Sequence, residues 1–170
     1  MRYQMHTWPH HAAATPHSLM STIKNTTHTL NDLIAICKDG QEGFRDASEH
    51  LKSHELKTLL SQYSLDRSKF AGELQQLVIH LGQKEETKGG LDAALHRGWI
   101  DLKAALTKGS DHAILAECER GEDHAVKVYR EAAEDADLPH DVREVIERQL
   151  AAVKAAHDDI RNRRDASADS

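Results

Sequence analysis

Apolar residues recur along most of the chain at spacings of three and four, which is the pattern of amphipathic helices. The pattern predicts four long helices and one short helix, over residues 29–51, 54–81, 91–106, 111–135 and 140–163. Ser53 precedes the second helix as an N-cap, and Gly82 follows it at the C-terminal end. Pro139 suits the first turn of the last helix, where its missing N–H is not needed. The predicted fold class is all-α.

Both ends of the chain lack this periodicity. The N-terminal stretch contains four histidines without helical spacing: His6, His10, His11 and His17. We expect residues 1–27 to be a disordered tail whose histidines either capture metal as a function or bind it adventitiously. Residues 164–170 are expected to be a second disordered tail, so that 28–163 form one domain. Because the periodic pattern starts just after Met20, we also predict that translation begins there rather than at Met1.

The composition favours packed helices over a β-sandwich, because aromatic residues make up only 4% of the chain and the core must be mostly aliphatic. The net charge is −6 and no basic patch stands out, so nucleic acid is not an expected partner. No apolar run approaches ~18 residues, and we predict no membrane span. Cys37 and Cys118 belong to no paired motif and fall on predicted core faces, which favours a reducing cytoplasm. The sequence is compatible with a homo-oligomer and indicates no particular protein partner.

A carboxylate interrupts the apolar face of the predicted helix 111–135. On a helical wheel the face consists of Ile114, Cys118, Ala125, Tyr129 and Ala132. Glu122 falls among these residues and Glu119 lies at their edge. An unpaired buried charge is too costly, so Glu122 must meet a partner inside the protein.

Polar residues interrupt two other apolar faces as well. Asp66 and Arg67 interrupt the second helix, and Gln149 and His157 interrupt the last. Counting ~1.5 Å per residue from the turns brings all but His157 to mid-height, with His157 roughly one to two turns higher. We therefore hypothesise one buried polar layer formed by Asp66, Arg67, Glu122, Gln149 and His157. Glu73 and Glu119 are expected at its margins.

Two chemistries fit this layer. The first is an ion-pair network centred on Arg67 and Glu122, which needs no cofactor, because arginine holds a carboxylate bidentately and stays charged. The second is an iron, manganese or zinc site built from Asp66, Glu119, Glu122 and His157. Di-metal helical bundles normally supply Glu-x-x-His motifs, and the chain contains none. An arginine in the layer also opposes a bound cation.

Two further features suggest close packing. Gly40 falls on the apolar stripe of the first helix, where a glycine is costly, and we expect another helix to approach it closely. His96 and Trp99 lie on the short helix 91–106. They either pack this short helix against the other helices or, together with Arg97, mark a surface for a partner.

Four segments carry a resemblance to a known family: residues 30–34, 39–44, 95–99 and 119–123, which read LNDLI, DGQEGF, LHRGW and ERGED. Together they resemble an uncharacterised bacterial family of ferritin-like four-helix bundles, known as a domain of unknown function. The resemblance covers about residues 28–163. It implies a ferritin-like bundle in which 91–107 is the crossover between the second and third bundle helices. It brings no catalytic residues.

Two functions are compatible with these observations. One is a non-enzymatic structural or binding protein, related to stress by family analogy alone. The other is a metalloprotein with ferroxidase or peroxide chemistry at the carboxylate–histidine layer.

Overall fold

The computed structural model describes residues 15–85 and 101–168. Within these residues it contains helices and no strands, which confirms the predicted all-α class. The helices are α1 Pro16–His50, α2 His54–His80, α3 Leu102–Lys108, α4 Asp111–Ala133 and α5 His140–Ala168. His96, Arg97 and Trp99 lie outside the described residues, as does most of the predicted helix 91–106.

Helix α1 begins well before the predicted position. Thr15 caps it by accepting a hydrogen bond from the Ser18 N–H at 3.4 Å, and Pro16 occupies the first turn. Thr26 and Thr27 are already buried. The predicted disordered tail is therefore wrong for residues 16–27, because the Thr-Pro capping signal starts the helix although no long apolar stripe follows at once.

Helix α5 continues beyond its predicted end. It runs to Ala168, and its last turns are held by side-chain contacts to other helices. Arg163 bonds Glu55 on α2, and the carbonyl of Arg164 lies 3.0 Å from the His112 ring on α4. The predicted tail from residue 164 is therefore wrong as far as Ala168, because Arg163 and Arg164 pair with Glu55 and Glu119 and hold this end of the helix.

The long helices pack side by side as neighbours that run in opposite directions. α1 packs along α2 and α4, and α5 packs along α4 and α2. The Asp111 carboxylate accepts hydrogen bonds from the backbone N–H groups of Lys52 and Ser53, at 2.8 and 3.1 Å, so α4 starts beside the α1–α2 turn. Because α1 and α2 are antiparallel, α2 and α4 are parallel and face each other across the core.

The apolar interior consists of two clusters, one towards each end of the long helices. One cluster includes Leu30, Leu74, Tyr129 and Ile146, and the other includes Phe44, Leu60, Ile114 and Ile160. Arg67 and Glu122 belong to neither cluster, and along α2 and α4 they lie between the residues of the two. The fold therefore places one charged layer between the two apolar clusters.

Candidate functional site

Arg67 on α2 and Glu122 on α4 form an ion pair inside the protein. The Arg67 Nη2 group donates a hydrogen bond to Glu122 Oε2. The two side chains are only 3% and 1% exposed. The Arg67 guanidinium carbon also lies 5.8 Å from the ring centre of Phe44 and 5.6 Å from that of Phe70. The cation is thus held by one carboxylate and two aromatic rings, from α1, α2 and α4.

Gly40 on α1 provides the space for the Arg67 side chain. A Cβ added at Gly40 would lie 3.3 Å from Arg67 Cγ and 3.4 Å from Cδ. The first distance is tighter than ordinary van der Waals contact, and the second is at its lower limit. The close approach expected at Gly40 is observed, and the group that approaches is the Arg67 side chain of α2.

The two charges shift each other's ionisation. Burial raises the pKa of the Glu122 carboxyl, and the neighbouring guanidinium opposes that rise. Burial alone would lower the pKa of Arg67, but the Glu122 carboxylate raises it. Arg67 Nε and Glu122 Oε1 make no hydrogen bond to any described residue. The contact is therefore carried by one hydrogen bond and is not the bidentate one expected, because the guanidinium is also oriented by the two phenylalanine rings.

A chain of hydrogen bonds runs beside the ion pair towards the surface. Cys37 Sγ lies 3.0 Å from the Tyr129 hydroxyl, which donates to Gln149 Oε1 at 2.8 Å. Gln149 Nε2 donates in turn to Glu73 Oε2 at 2.8 Å. Because the single Tyr129 proton points to Gln149, the Cys37 thiol must be the donor in the first link. The chain thus joins α1, α4, α5 and α2 in one directed sequence.

The two buried ionisable groups of this hydrogen-bonded chain, Cys37 and Tyr129, stay neutral. Burial raises the pKa of Cys37 to about 11, despite the hydrogen bond to Tyr129. Burial also raises the pKa of Tyr129 well above its ordinary value. A thiol that keeps its proton is a poor nucleophile, so Cys37 acts here as a hydrogen-bond donor. At the surface end of the chain, burial alone would raise the pKa of Glu73. Hydrogen bonds from Arg148 and Gln149 outweigh burial and lower that pKa below its ordinary value.

Of the five residues predicted for the polar layer, the structure brings two into direct contact, Arg67 and Glu122. Gln149 is completely buried but meets Tyr129, Glu73 and the Phe70 carbonyl instead. It therefore lies in the hydrogen-bonded chain beside the ion pair. Glu73 was expected at the margin and is the residue that ends this chain.

The predicted burial of Asp66 is wrong. Its Oδ1 accepts a hydrogen bond from Gln62 at 2.9 Å and lies 3.6 Å from Lys69 Nζ, and both of these contacts are within α2. The side chain is 36% exposed. Consecutive residues on a helix point about 100° apart, so the rotation that buries Arg67 turns Asp66 outwards.

The predicted place of His157 in the layer is also wrong. Its Nε2 lies 2.8 Å from Asp123 Oδ1, and its Nδ1 lies 3.0 Å from Asp158 Oδ1. Its neighbour Ala156 points into the core, which turns His157 to the rim between α4 and α5. Burial alone would lower the pKa of His157, but the hydrogen bonds to Asp158 and Asp123 raise it above the ordinary value.

The predicted metal ligands are not assembled. Glu119 is buried and pairs with Arg164, whereas Glu122 pairs with Arg67. Asp66 contacts Gln62 and Lys69 on its own helix, and His157 contacts Asp123 and Asp158 at the rim. Among residues 15–85 and 101–168, no three His, Cys, Asp or Glu side chains are grouped so that they could hold a metal ion. The described structure therefore does not bring the four predicted ligands together at one point.

The sequence reasoning missed three participants, Tyr129, Cys37 and Arg164. Tyr129 had been assigned to an apolar face, although the hydroxyl of a buried tyrosine normally needs a partner and could have been used as a signal. The apolar environment of Cys37 was expected, but its hydrogen bond was not. Arg164 was assigned to a disordered tail, and no periodic signal marks it as the partner of Glu119.

An open cavity of about 500 Å³ lies between α1 and α4, away from the ion pair. Its polar lining includes His28, Asp32, Glu131 and Asp135. His28 Nε2 lies 3.6 Å from Asp32 Oδ2 within this lining. The cavity is therefore shallow and acidic, and it shares no residue with the buried pair.

These features define an all-helical protein with an arginine–glutamate pair at its centre and a hydrogen-bonded chain beside it. Residues 25–135 match the family model described as "Domain of unknown function (DUF2383)", and the chain belongs to this family. The match includes most of α1 and all of α2, α3 and α4. No curated protein matches the chain. Within the part of the chain that the structure describes, no helix combines the length and apolarity needed to cross a bilayer.

Proposed function

We propose that this protein is a bacterial, ferritin-like four-helix bundle with a structural or binding role and no enzymatic one. The observation that carries the proposal is the guanidinium of Arg67 in the bundle centre, in contact with Glu122. Di-iron members of this architecture place carboxylates and histidines around metal ions there. Here a side-chain cation neutralises the carboxylate.

The ferritin-like arrangement is supported by the directions of the helices. Neighbouring long helices are antiparallel, and α2 and α4 are parallel across the core. A chain that joins two parallel helices must return along the full length of the bundle. The described helix α3 lies between α2 and α4 along the chain, where the proposed fold requires a crossover.

The neutralised centre is the reason for a non-enzymatic role. Arg67 and Glu122 have no net charge together, and the nearby Cys37 and Tyr129 keep their protons. A metal cation placed beside Arg67 would be repelled in an environment that screens charge poorly. The site thus supplies neither metal ligands nor an activated nucleophile.

Two further parts of the proposal have support that is separate from the ion pair. A cytoplasmic location is supported by Cys37 and Cys118, which are buried free thiols. A stress-related role is supported by the family resemblance alone. Neither changes the interpretation of the centre.

Metal loading of the full-length protein tests the proposal. Tail histidines can capture metal on their own, so a variant with His6, His10, His11 and His17 changed to Ala is compared with the native chain. Each protein is incubated with Fe²⁺ or Mn²⁺, dialysed and analysed for bound metal. We expect the variant that lacks these four histidines to retain far less than one ion per chain. About one ion or more per chain, lost again in Glu122→Gln, would contradict the proposal.

A further inference from the structure

The outer face of α2 carries two large apolar side chains that nothing in the described chain covers. Leu65 is 56% exposed and Ile79 is 60% exposed. They are separated by fourteen positions, which is close to four helical turns, so they lie on one line along the helix. The line consists of Thr58, Ser61, Leu65, Ser68, Gly72, Gln76 and Ile79. It contains no charged residue, although charged residues flank it.

Gly72 lies midway between Leu65 and Ile79, and no described residue explains it. A Cβ added there would meet no atom within 4 Å, and its backbone is not in the left-handed region. A glycine inside a helix destabilises it relative to alanine. At Gly40 the free space is used by Arg67, whereas at Gly72 no described residue uses it. Close approach of a helix from outside would use that space.

We infer that this face of α2 binds the same face of a second copy of the chain, with the two helices antiparallel and Gly72 on the two-fold axis. Leu65 and Ile79 are each seven positions from Gly72. A two-fold axis through Gly72 therefore places Leu65 of each copy against Ile79 of the other. Such an interface is self-complementary, as symmetric dimers require. The inference goes beyond the proposed function and does not depend on the buried ion pair.

The charged flank of the line fits the same arrangement. Lys69 lies three positions before Gly72, and Glu73 lies one position after it. Because the second helix runs in the opposite direction, Lys69 of one copy and Glu73 of the other are separated by about 3 Å along the helix axis. Lys69 is 68% exposed, and its carboxylate neighbour within the chain is Asp66 at 3.6 Å. Opposite charges at the rim therefore accompany the apolar contacts.

The area of the face limits the affinity that we expect for the dimer. From Thr58 to Ile79 the line is about 32 Å long, and a helix is about 10–12 Å wide. The α2 face alone thus offers roughly 350 Å² per copy, which is below the ~800 Å² of a standard stable interface. We expect a weak dimer with a dissociation constant in the micromolar range or above.

Sedimentation of the full-length chain across a range of concentrations tests the dimer. We expect the native protein to change from monomer to dimer as its concentration rises. Leu65→Lys should raise the dissociation constant at least tenfold. Leu19→Lys is the matched control, because Leu19 is 53% exposed on α1 and lies off the α2 line. It should change the constant less than twofold.

Two results would overturn the inference. A native protein that stays monomeric at millimolar concentration would show that no second copy binds. A dimer that Leu65→Lys leaves intact would show that the copies meet elsewhere.

Cysteine cross-linking tests the antiparallel geometry. Cys37 and Cys118 are completely buried and provide no background. Under mild oxidation Gly72→Cys should cross-link to itself, because the axis passes through it. Leu65→Cys and Ile79→Cys should cross-link when mixed, and neither should do so alone. Efficient cross-linking of Leu65→Cys to itself would overturn the proposed pairing.

Discussion

Glu119 and Glu122 lie one turn apart on α4, and both are buried carboxylates paired with an arginine. Their partners differ. Glu122 meets Arg67, which is 3% exposed and crosses the core from α2. Glu119 meets Arg164, which is 28% exposed and reaches it from the rim on α5.

The difference shows two ways of neutralising a carboxylate on a core face. An arginine at the rim keeps part of its guanidinium in water, so its own charge stays hydrated when the pair opens. An arginine in the interior has lost its hydration, and either partner left alone would be an unpaired charge between two apolar clusters. The inner pair therefore constrains the packing far more than the outer one.

Replacing the inner arginine should have the largest effect. Arg67→Met keeps most of the volume but leaves the Glu122 carboxylate without its cation. We expect the free energy of unfolding in urea to fall by about 3–5 kcal/mol at neutral pH. A loss below about 1 kcal/mol would show that the carboxylate does not depend on Arg67.

Removing both charges sharpens this result. In Arg67→Met/Glu122→Leu neither charge is left unpaired, and the layer becomes continuous with the apolar clusters. We expect the unfolding free energy to return to within about 1 kcal/mol of the native value, or above it. Losses that simply add from the two single variants would mean that the residues do not act as a pair.

The space at Gly40 gives the next effect. Gly40→Ala places a methyl group against the Arg67 stem, which cannot yield because the two aromatic rings and Glu122 hold it. We expect a net loss of about 1 kcal/mol in unfolding free energy, although alanine favours the helix. Gly72→Ala, where the space is open, should instead gain about 0.5–1 kcal/mol in dilute solution. Equal effects at the two sites would contradict the role given to Gly40.

The rim pair should respond more weakly. Arg164→Met removes a partner of Glu119 that is partly in water, so we expect a smaller loss of stability than for Arg67→Met. Added salt should reduce the difference between this variant and the native protein, because exposed charges are screened. A salt-independent loss as large as that at Arg67 would make the two pairs equivalent.

The smallest effect concerns His157 and depends on pH. Its folded-state pKa is raised above the ordinary value of about 6.5, because Asp158 and Asp123 stabilise the charged ring. The stability that this provides is complete below the ordinary pKa and is lost as the pH rises through the raised one. The stability advantage of the native protein over His157→Gln should therefore be larger at pH 5.5 than at pH 9. An advantage that grows with pH would have the wrong sign.

The periodic pattern predicted the long helices and, by counting along them, the meeting of Arg67 with Glu122. It could not predict which way Asp66 and His157 turn, because each lies next to an inward-facing residue and a rotation of one position moves it to the surface. The metal hypothesis depended on those two residues. The helix ends were misjudged where capping at Thr15 and the pairing of Arg163 and Arg164 replaced an apolar stripe as the source of stability.

The buried pair joins residues 55 positions apart, on two parallel helices from different helical hairpins. If the first hairpin slid by a single turn towards the C-terminal end of α4, Arg67 would face an apolar part of that helix, near Ala125. Aliphatic side chains tolerate such a slip far better than a desolvated cation does. The pair therefore fixes the longitudinal register of the two hairpins. It selects one alignment from several that would bury similar amounts of hydrocarbon.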